Sequence, residues 1–394
     1  MTILSFTNIG IDGFRGLRKL ELTDLGRVNI LVGSNNSGKT SVLEALSILC
    51  QPCNPNEWLA MVRRRDFGRL DESIVQSFRW CFTRVSELLD PDLFIEAGCK
   101  FSCEGRFSLQ SLEVRYSEFL GIPPAEDRTS TSVINDASRR LRQKDLTLMM
   151  EDDNPMRGLE LTYFPKTKNN QLDLFSSVTG LKNNNFTLRI WEDILPIKFR
   201  FGDGYKIPSE TLTPYSYQLN PRQVRSQSKQ IFQLDSPSVL ELLKDFDADI
   251  EKIEIASFHG ERPAIYIKHS KLGIAPISVF GDAMRRSVLL ASTLLSLKEG
   301  GILLIDEVEA GIHVGALGKV FEWLSRVARQ LDVQIFVTTH SLEAVDALLA
   351  ASNPQDNEDI VAYRLSQTPE ATLSKRFAGD FLHRLRYERG LDLR

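Results

Sequence analysis

The chain has 394 residues, a formal net charge of -4, and 42% hydrophobic and 25% charged residues. That length allows two domains or one large domain carrying an insertion, with a sizeable core. The charge excludes a surface that coats nucleic acid wholesale, and no apolar run approaches the roughly 20 residues needed to cross a bilayer.

Met1-Thr2-Ile3-Leu4 has no basic lead into an apolar core, so no signal peptide is expected. An odd set of cysteines, Cys50, Cys53, Cys81, Cys99 and Cys103, points to a reducing, cytoplasmic setting. The spacings Cys50-x-x-Cys53 and Cys99-x-x-x-Cys103 invite a zinc reading, but the second pair sits in a strand-like stretch, and ordinary thiols are the better reading. Arg63, Arg64 and Arg65, and then Arg139, Arg140, Arg142 and Lys144, read as solvated helix faces, with a local basic groove as the alternative.

In chain order, Ile9 and Ile11 alternate before Gly13, and Leu20 and Leu22 alternate after it. Val28 to Val32 is a short apolar run ending at Gly33, and Ser41 to Leu49 continues as a helix. Pro52, Asn54 and Pro55 break that helix. Residues 93–120 alternate like strands, whereas residues 121–180, rich in Pro, Asn, Asp and Lys, read as an insertion with exposed loops. Phe186 to Trp191 is a further strand candidate, and residues 211–245 are turn-rich and then helical. Ile253 and Ile255, then Ala264 to Ile267, predict sheet. Residues 284–297 predict an apolar helix, 301–305 a buried strand, 315–330 an amphipathic helix, Val333 to Val337 a second buried strand, and 342–350 a helix. A last strand is expected around Ile360 to Leu365, and a closing helix from about Phe377 to Arg389.

Three stretches carry chemistry. Gly33-Ser34-Asn35-Asn36-Ser37-Gly38-Lys39-Thr40 matches the phosphate-binding loop G-x-x-x-x-G-K-[ST] between a strand and a helix. In such a loop backbone amides wrap the phosphates, Lys39 reaches the β- and γ-phosphates and Thr40 offers a hydroxyl to Mg2+. Ile302 to Ile305 is an apolar strand delivering Asp306, a Mg2+ ligand, and Glu307, a base for the attacking water. Ile335 to Thr339 delivers His340, placed to bond the γ-phosphate or the water. A fourth stretch, Gly281-Asp282-Ala283, opens the apolar helix. Because one nucleotide already has its loop, this turn is read as serving the nucleotide of a second subunit, with a packing turn as the alternative.

Together these residues resemble the ABC-type ATPase heads of the SMC, RecF and OLD-like group, most of all the stand-alone bacterial AAA-type ATPases of the OLD-like branch. The resemblance is carried by Phe14-Arg15-Gly16, the loop from Gly33 to Ser41 with Leu43-Glu44-Ala45, the turn Phe280-Gly281-Asp282-Ala283, Glu309-Ala310-Gly311-Ile312-His313, and Thr338-Thr339-His340-Ser341. Two positions depart from it. Ala283 stands where a second glycine is usual, and Val314 stands where proline is frequent.

The implied fold is α/β, a P-loop NTPase head with a mixed central sheet, built from residues 1–50 and 250–394 and interrupted by a long helical and strand insertion in 51–249. That insertion is expected to supply some ATPase-lobe strands and a dimerisation or partner surface. The implied nucleotide ligands are Arg15, Gly33, Asn35, Asn36, Ser37, Gly38, Lys39, Thr40 and Ser41, with Glu307, His340 and Lys39 catalytic. Thr40 and Asp306 would hold Mg2+, with Gln76 as a glutamine-loop candidate and Gln51 as a poorer one. Ser278, Gly281, Asp282 and Ala283 would act in trans, beside an interface loop at Gly311 and His313.

The implied activity is hydrolysis of ATP, with Mg2+, by a homodimer or higher homo-oligomer. The implied setting is bacterial anti-phage defence, as a sensor or scaffold controlling a separate nuclease or toxin effector, with a phage protein or DNA as trigger and no membrane. The residues after His340 are too few for the Toprim nuclease of longer relatives. Two alternatives stay open: a RecF-like DNA repair ATPase, and a non-catalytic nucleotide-gated interaction module.

Overall fold

A computed structural model describes residues 4–52, 54–65, 73–82, 96–124, 155–168, 186–192, 206–216, 237–256, 264–351, 359–390 and 392. The chain opens with β1 (Asn8–Asp12), β2 (Leu20–Leu22) and β3 (Val28–Val32), followed by α1 (Lys39–Cys50), α2 (Pro55–Arg65) and α3 (Ile74–Arg79). Next come β4 (Glu96–Glu104), β5 (Leu109–Gly121), β6 (Met156–Thr167), β7 (Phe186–Trp191) and β8 (Ser209–Leu212). Then follow α4 (Pro237–Lys244), β9 (Ile250–Ala256), β10 (Ala264–His269), β11 (Gly273–Pro276), a 3-10 turn (Ile277–Val279) and α5 (Asp282–Ser296). The remainder is β12 (Gly301–Ile305), α6 (Val314–Gln330), β13 (Val333–Thr338), α7 (Leu342–Ala350), β14 (Ile360–Gln367), β15 (Thr372–Ala378) and α8 (Gly379–Tyr387). No helix among the described residues is long and apolar enough to cross a membrane.

The central sheet runs β15-β14-β3-β13-β12-β8, with every neighbour pair parallel except β14 and β15. This is the mixed sheet expected of the fold class. Strands β3, β12 and β13 are buried throughout, as parallel strands covered on both faces must be. Alternate side chains feed two cores. Leu31, Ile302, Leu304 and Phe336 pack toward α1 and the N-terminal sheet, whereas Ile30, Val32, Leu303, Ile305, Ile335 and Val337 pack toward the residues of α5, α6 and α7. Each large apolar side chain so buried contributes about 1.5–3 kcal/mol.

Two amides interrupt the apolar runs without being orphaned. Asn29 bonds Gly26 through both ends of its side chain, and Gln334 bonds the backbone of Phe6 and Gly26. Each replaces a missing backbone partner, so the buried polar groups are satisfied.

A second sheet, β2-β1-β4-β5-β6-β7, is antiparallel throughout, and a third, β11-β10-β9, lies beside α4. Two expectations are corrected. Met156 to Thr167, read as loop, is a strand whose alternating burial pairs it with β5. Phe377 belongs to β15 rather than to the closing helix, because pairing with Ala362 on β14 fixes it in the sheet. Cys50, Cys81, Cys99 and Cys103 are buried and free. Burial raises the Cys50 and Cys99 thiols and pushes Cys103 to about 12, so they are core side chains rather than ready thiolate ligands. Cys53 and the cluster Arg139, Arg140, Arg142 and Lys144 lie outside the described residues.

The second sheet holds α3 through Glu118, whose side chain is fully buried. It accepts from Arg79 Nη2 at 2.7 Å, Tyr116 at 2.6 Å and Arg157 at 2.8 Å. Burial alone raises this carboxyl, but the hydrogen bonds from Arg79, Tyr116 and Arg157 outweigh it and hold the pKa below the ordinary value. The stability it contributes is therefore full above the ordinary carboxylate range and is lost as pH falls through the lowered value. Glu118→Gln strands a buried guanidinium and is expected to cost about 3–5 kcal/mol at neutral pH. Urea unfolding at pH 7 and at pH 3 measures this, and the mutant's deficit should shrink at the lower pH.

Candidate active site

Strands β3, β13, β12 and β8 run the same way, with Leu31 opposite Thr338, Val337 opposite Ile305, and Ile305 opposite Leu212. Their carboxyl ends therefore deliver the phosphate loop, Thr338 to His340, Asp306 and Glu307, and Thr213 to one edge, where open α/β sheets place ligands. One open cleft of about 1030 Å³ there is lined by Arg15, Asn35 to Ser41, Asp306, Glu307 and His340.

The loop depends on two glycines. Gly33 has φ 143° and Gly38 has φ 97°, and a Cβ at either would come within 2.5 Å of Leu365 O or Leu17 Cδ2. Asn36, with φ 62°, adopts the left-handed region that asparagine tolerates. Lys39 Nζ donates to the carbonyls of Gly33 at 2.8 Å and Ser34 at 2.9 Å, so the loop wraps its own ammonium. Burial lowers the Lys39 pKa, against the pull of Asp306, Glu307 and Glu309. The Ser37 hydroxyl is buried with no hydrogen-bond partner among the described residues. A cradle of amides at a helix start, with an ammonium and an unmatched hydroxyl, fits a polyphosphate.

Thr40 Oγ1 donates to both oxygens of Asp306 at 3.2 Å. A hydroxyl beside a carboxylate is a hard-oxygen pair that fits Mg2+. Thr338 joins the acids. Its Oγ1 donates to Asp306 Oδ1 at 2.6 Å and accepts from Glu307 N–H at 2.9 Å. Glu307 has φ 47°, a left-handed turn that starts directly after the strand. Burial, then Asp306 and Glu309, raise the Glu307 pKa, with His340 and Lys39 pulling the other way. The carboxyl is thereby better suited to receive a proton. Glu309 Oε1 accepts from His340 N–H at 3.0 Å and Val308 N–H bonds Thr338 O at 3.0 Å, so the loops after β12 and β13 are pinned together.

Lys39, Thr40, Asp306, Glu307, His340 and Arg15 thus share one cleft, although Arg15 pairs at 2.6 Å with Glu44 on α1. Gln76 does not line it. Gln76 lies in the first turn of α3, its N–H on Ser73 Oγ, because the strand flanking β12 is β8 and not a segment near residue 76. Gln51 instead bonds Ser209 at the start of β8. Ser278, Gly281, Asp282 and Ala283 lie outside the cleft. Gly281 and Asp282 are exposed, and Ala283 sits in the first turn of α5 without a positive φ, so its methyl group strains nothing. Gly311 has φ 76°, and His313 caps α6 by accepting from Gly315 N–H.

Residues not foreseen are Thr338, Glu309, Thr211, Thr213, Trp80 and Tyr215. Thr338 and Glu309 stand inside the stretches that carry the family resemblance, but only their contacts reveal a role. β8 has four residues, too few for a periodic signal.

The fold and the cleft define a P-loop nucleotide-binding domain. Residues 28–346 match the family described as "AAA domain, putative AbiEii toxin, Type IV TA system", and the chain belongs to that family. It is 22% identical over 354 residues to an "ATP/GTP phosphatase" of Helicobacter pylori, covering 86% of each chain. A stretch of 46 residues is 46% identical to the DNA replication and repair protein RecF of Pseudomonas savastanoi pv. phaseolicola, 12% of each chain. Among solved structures it is similar to the SMC head domain from Thermotoga maritima, with a TM-score of 0.43, 13% identity, and coverage of 96% of this chain and 99% of that one.

Thr338→Val keeps the side-chain volume but removes a donor from Asp306 and an acceptor from Glu307 N–H. It is expected to destabilise the chain by about 1–3 kcal/mol, the cost of an unsatisfied buried group. Denaturant unfolding, with nucleotide binding measured alongside, checks this.

Proposed function

We propose that the chain binds ATP with Mg2+ in this cleft and hydrolyses it in composite sites completed by a second copy. The observation that carries the reading is the convergence of Lys39, Thr40, Asp306, Glu307 and His340 on one cleft. The amides of Gly33 to Ser41 would cradle the phosphates, with Lys39 exchanging the carbonyls of Gly33 and Ser34 for phosphate oxygens. Thr40 and Asp306 would hold Mg2+, which neutralises charge on the phosphate oxygens. A water oxygen attacks the γ-phosphorus, its proton passes to Glu307, and ADP leaves with its bridging oxygen. His340 orients the water or the γ-phosphate, while Thr338 holds Asp306 and Glu307 in place. Arg15, paired with Glu44, lines the same cleft.

The exposed turn Ser278 to Ala283 and the turn at Gly311 and His313 would meet the second copy. Engagement driven by ATP is proposed to hold a separate nuclease or toxin effector in check, in bacterial anti-phage defence, with a phage protein or DNA as trigger. The family description, which names a toxin and a toxin–antitoxin system, supports a defence setting. A second reading, a RecF-like DNA repair ATPase, is favoured by the segment of 46% identity to RecF. DNA binding that weakens steeply with salt would favour that reading over the first.

Glu307→Gln is expected to keep nucleotide affinity and lower turnover by about 10²–10⁴-fold, the usual contribution of a general base. Phosphate release and equilibrium binding of a fluorescent ATP analogue check both halves, and equal turnover in mutant and wild type would remove Glu307 from the reaction. Asp282→Arg is expected to lower turnover while leaving binding to a single chain intact. Wild-type specific activity is expected to rise with protein concentration, and a monomer with constant specific activity would falsify the composite site.

A further inference from the structure

One buried histidine outside the cleft bears on the turn that would serve the second copy. His269 ends β10 with its side chain 5% exposed. Its Nδ1 accepts the N–H groups of Lys271 and Leu272, both at 3.1 Å, and so closes the β10–β11 hairpin. A ring nitrogen that accepts two donors carries no proton, which places the proton on Nε2. Nε2 then donates to Asp247 Oδ2 at 3.1 Å, in the turn between α4 and β9. Asp249, two residues on, is taken up by Ser270 Oγ and Lys271 Nζ. Asp247, Asp249 and His269 lie close enough together to suit a metal ion. A metal would need the Nε2 lone pair, and this hydrogen-bond pattern puts a proton there. The trio is a brace rather than an ion site.

The brace points at the turn. The His269 ring lies 6.2 Å from the Phe280 ring at 45°, within the range of favourable aromatic pairs. Phe280 is half-buried against the core that includes α5, and its N–H bonds Ile277 O at 3.1 Å. Gly281 follows directly. It caps α5 in an extended conformation with no side-chain hydrogen bond, and nothing lies within 4 Å of where its Cβ would be. The outer side of the turn is therefore open, and its angle is set from behind by Phe280.

We propose that His269 is a positioning residue for this turn, holding Phe280 and with it the amides of Gly281, Asp282 and Ala283 at the angle a second copy's nucleotide requires. The proposal rests on the composite-site reading above. It makes His269 act on the cleft of the other copy and not on its own.

That geometry gives a test by mixing purified full-length variants and measuring ATP turnover. In His269→Asn the amide oxygen stands near the place of Nδ1, so the hairpin keeps an acceptor while the ring is lost. Alone, this variant is expected to turn over about tenfold or more slowly, as for a misplaced catalytic group, with nucleotide affinity close to wild type and a thermal midpoint lowered by the lost bond to Asp247 but still well above the assay temperature. Lys39→Ala mixed with Asp282→Arg is the control, and recovery there shows one good cleft meeting one good turn. Lys39→Ala mixed with His269→Asn should recover likewise. A chain carrying both Lys39→Ala and His269→Asn, mixed with Asp282→Arg, should not. A merely structural histidine would impair both arrangements alike. Phe280→Leu is expected to reproduce the pattern and serves if His269→Asn folds poorly. The proposal is overturned if the control recovers but Lys39→Ala with His269→Asn does not, or if the doubly substituted chain recovers as well as the control. Failure of the control overturns the composite-site reading, and this proposal falls with it.

Discussion

The Thr40 hydroxyl lies 3.2 Å from both carboxylate oxygens of Asp306, across 266 positions of chain. That contact exists only because β3, β13 and β12 lie side by side in parallel, each in fixed register. A shift of one residue in a strand would turn its core side chains to the wrong face. It would also carry the acids or the histidine away from the phosphate loop. The register is held by strands buried on both faces, where every side chain has a place in one of two cores. Loop closure over so long an insertion costs little more than over a short one, because its entropy grows only with the logarithm of length. The site can therefore be assembled from distant ends of the chain.

Within the cleft, charge is arranged so that the protein alone is incompletely matched. Asp306, Glu307 and Glu309 all act on Lys39, whose ammonium is occupied by its own loop carbonyls. Partial burial and mutual repulsion leave the Glu307 carboxyl easier to protonate than usual. On the proposed function, a cation and a polyphosphate would relieve both mismatches at once, the first for the acids and the second for the lysine and the loop amides. Thr338 is the hinge between the two halves, since one hydroxyl serves the carboxylate of Asp306 and the backbone of Glu307.

The lobe carrying α5 has a different logic. Its third sheet and α4 build a support behind an exposed turn, apolar at its centre and closed by a polar pair at the end of β10. A histidine fixed in one tautomer ties three successive segments: the turn after α4, the β10–β11 hairpin and the residue before α5. The second sheet uses the same device with charge, where one buried carboxylate gathers Arg79, Tyr116 and Arg157 from three elements. Buried polar groups of this kind stabilise only when fully matched, and so they specify one arrangement.

Much of the phosphate-binding half was legible. The loop from Gly33 to Thr40 has a local spacing dictated by amide geometry, and the runs before Asp306 and His340 are apolar, short and rich in β-branched residues, as buried strands are. The strand in residues 156–167 was not legible because its partner β5 is distant in sequence, and the strand around Phe377 because it runs directly into the closing helix at Gly379. Gln76 illustrates the same limit, since which segment flanks β12 is a question of sheet order, and four residues of β8 carry no periodic signal. By itself the sequence determined which local pieces exist and which chemistry each can supply, since those follow from neighbouring residue types. Only the tertiary structure decided which pieces meet, that Thr338 and Glu309 join the acids to the histidine, and that His269 stands behind the turn. Those are contacts between separate elements, fixed by packing and hydrogen-bond satisfaction rather than by any local pattern.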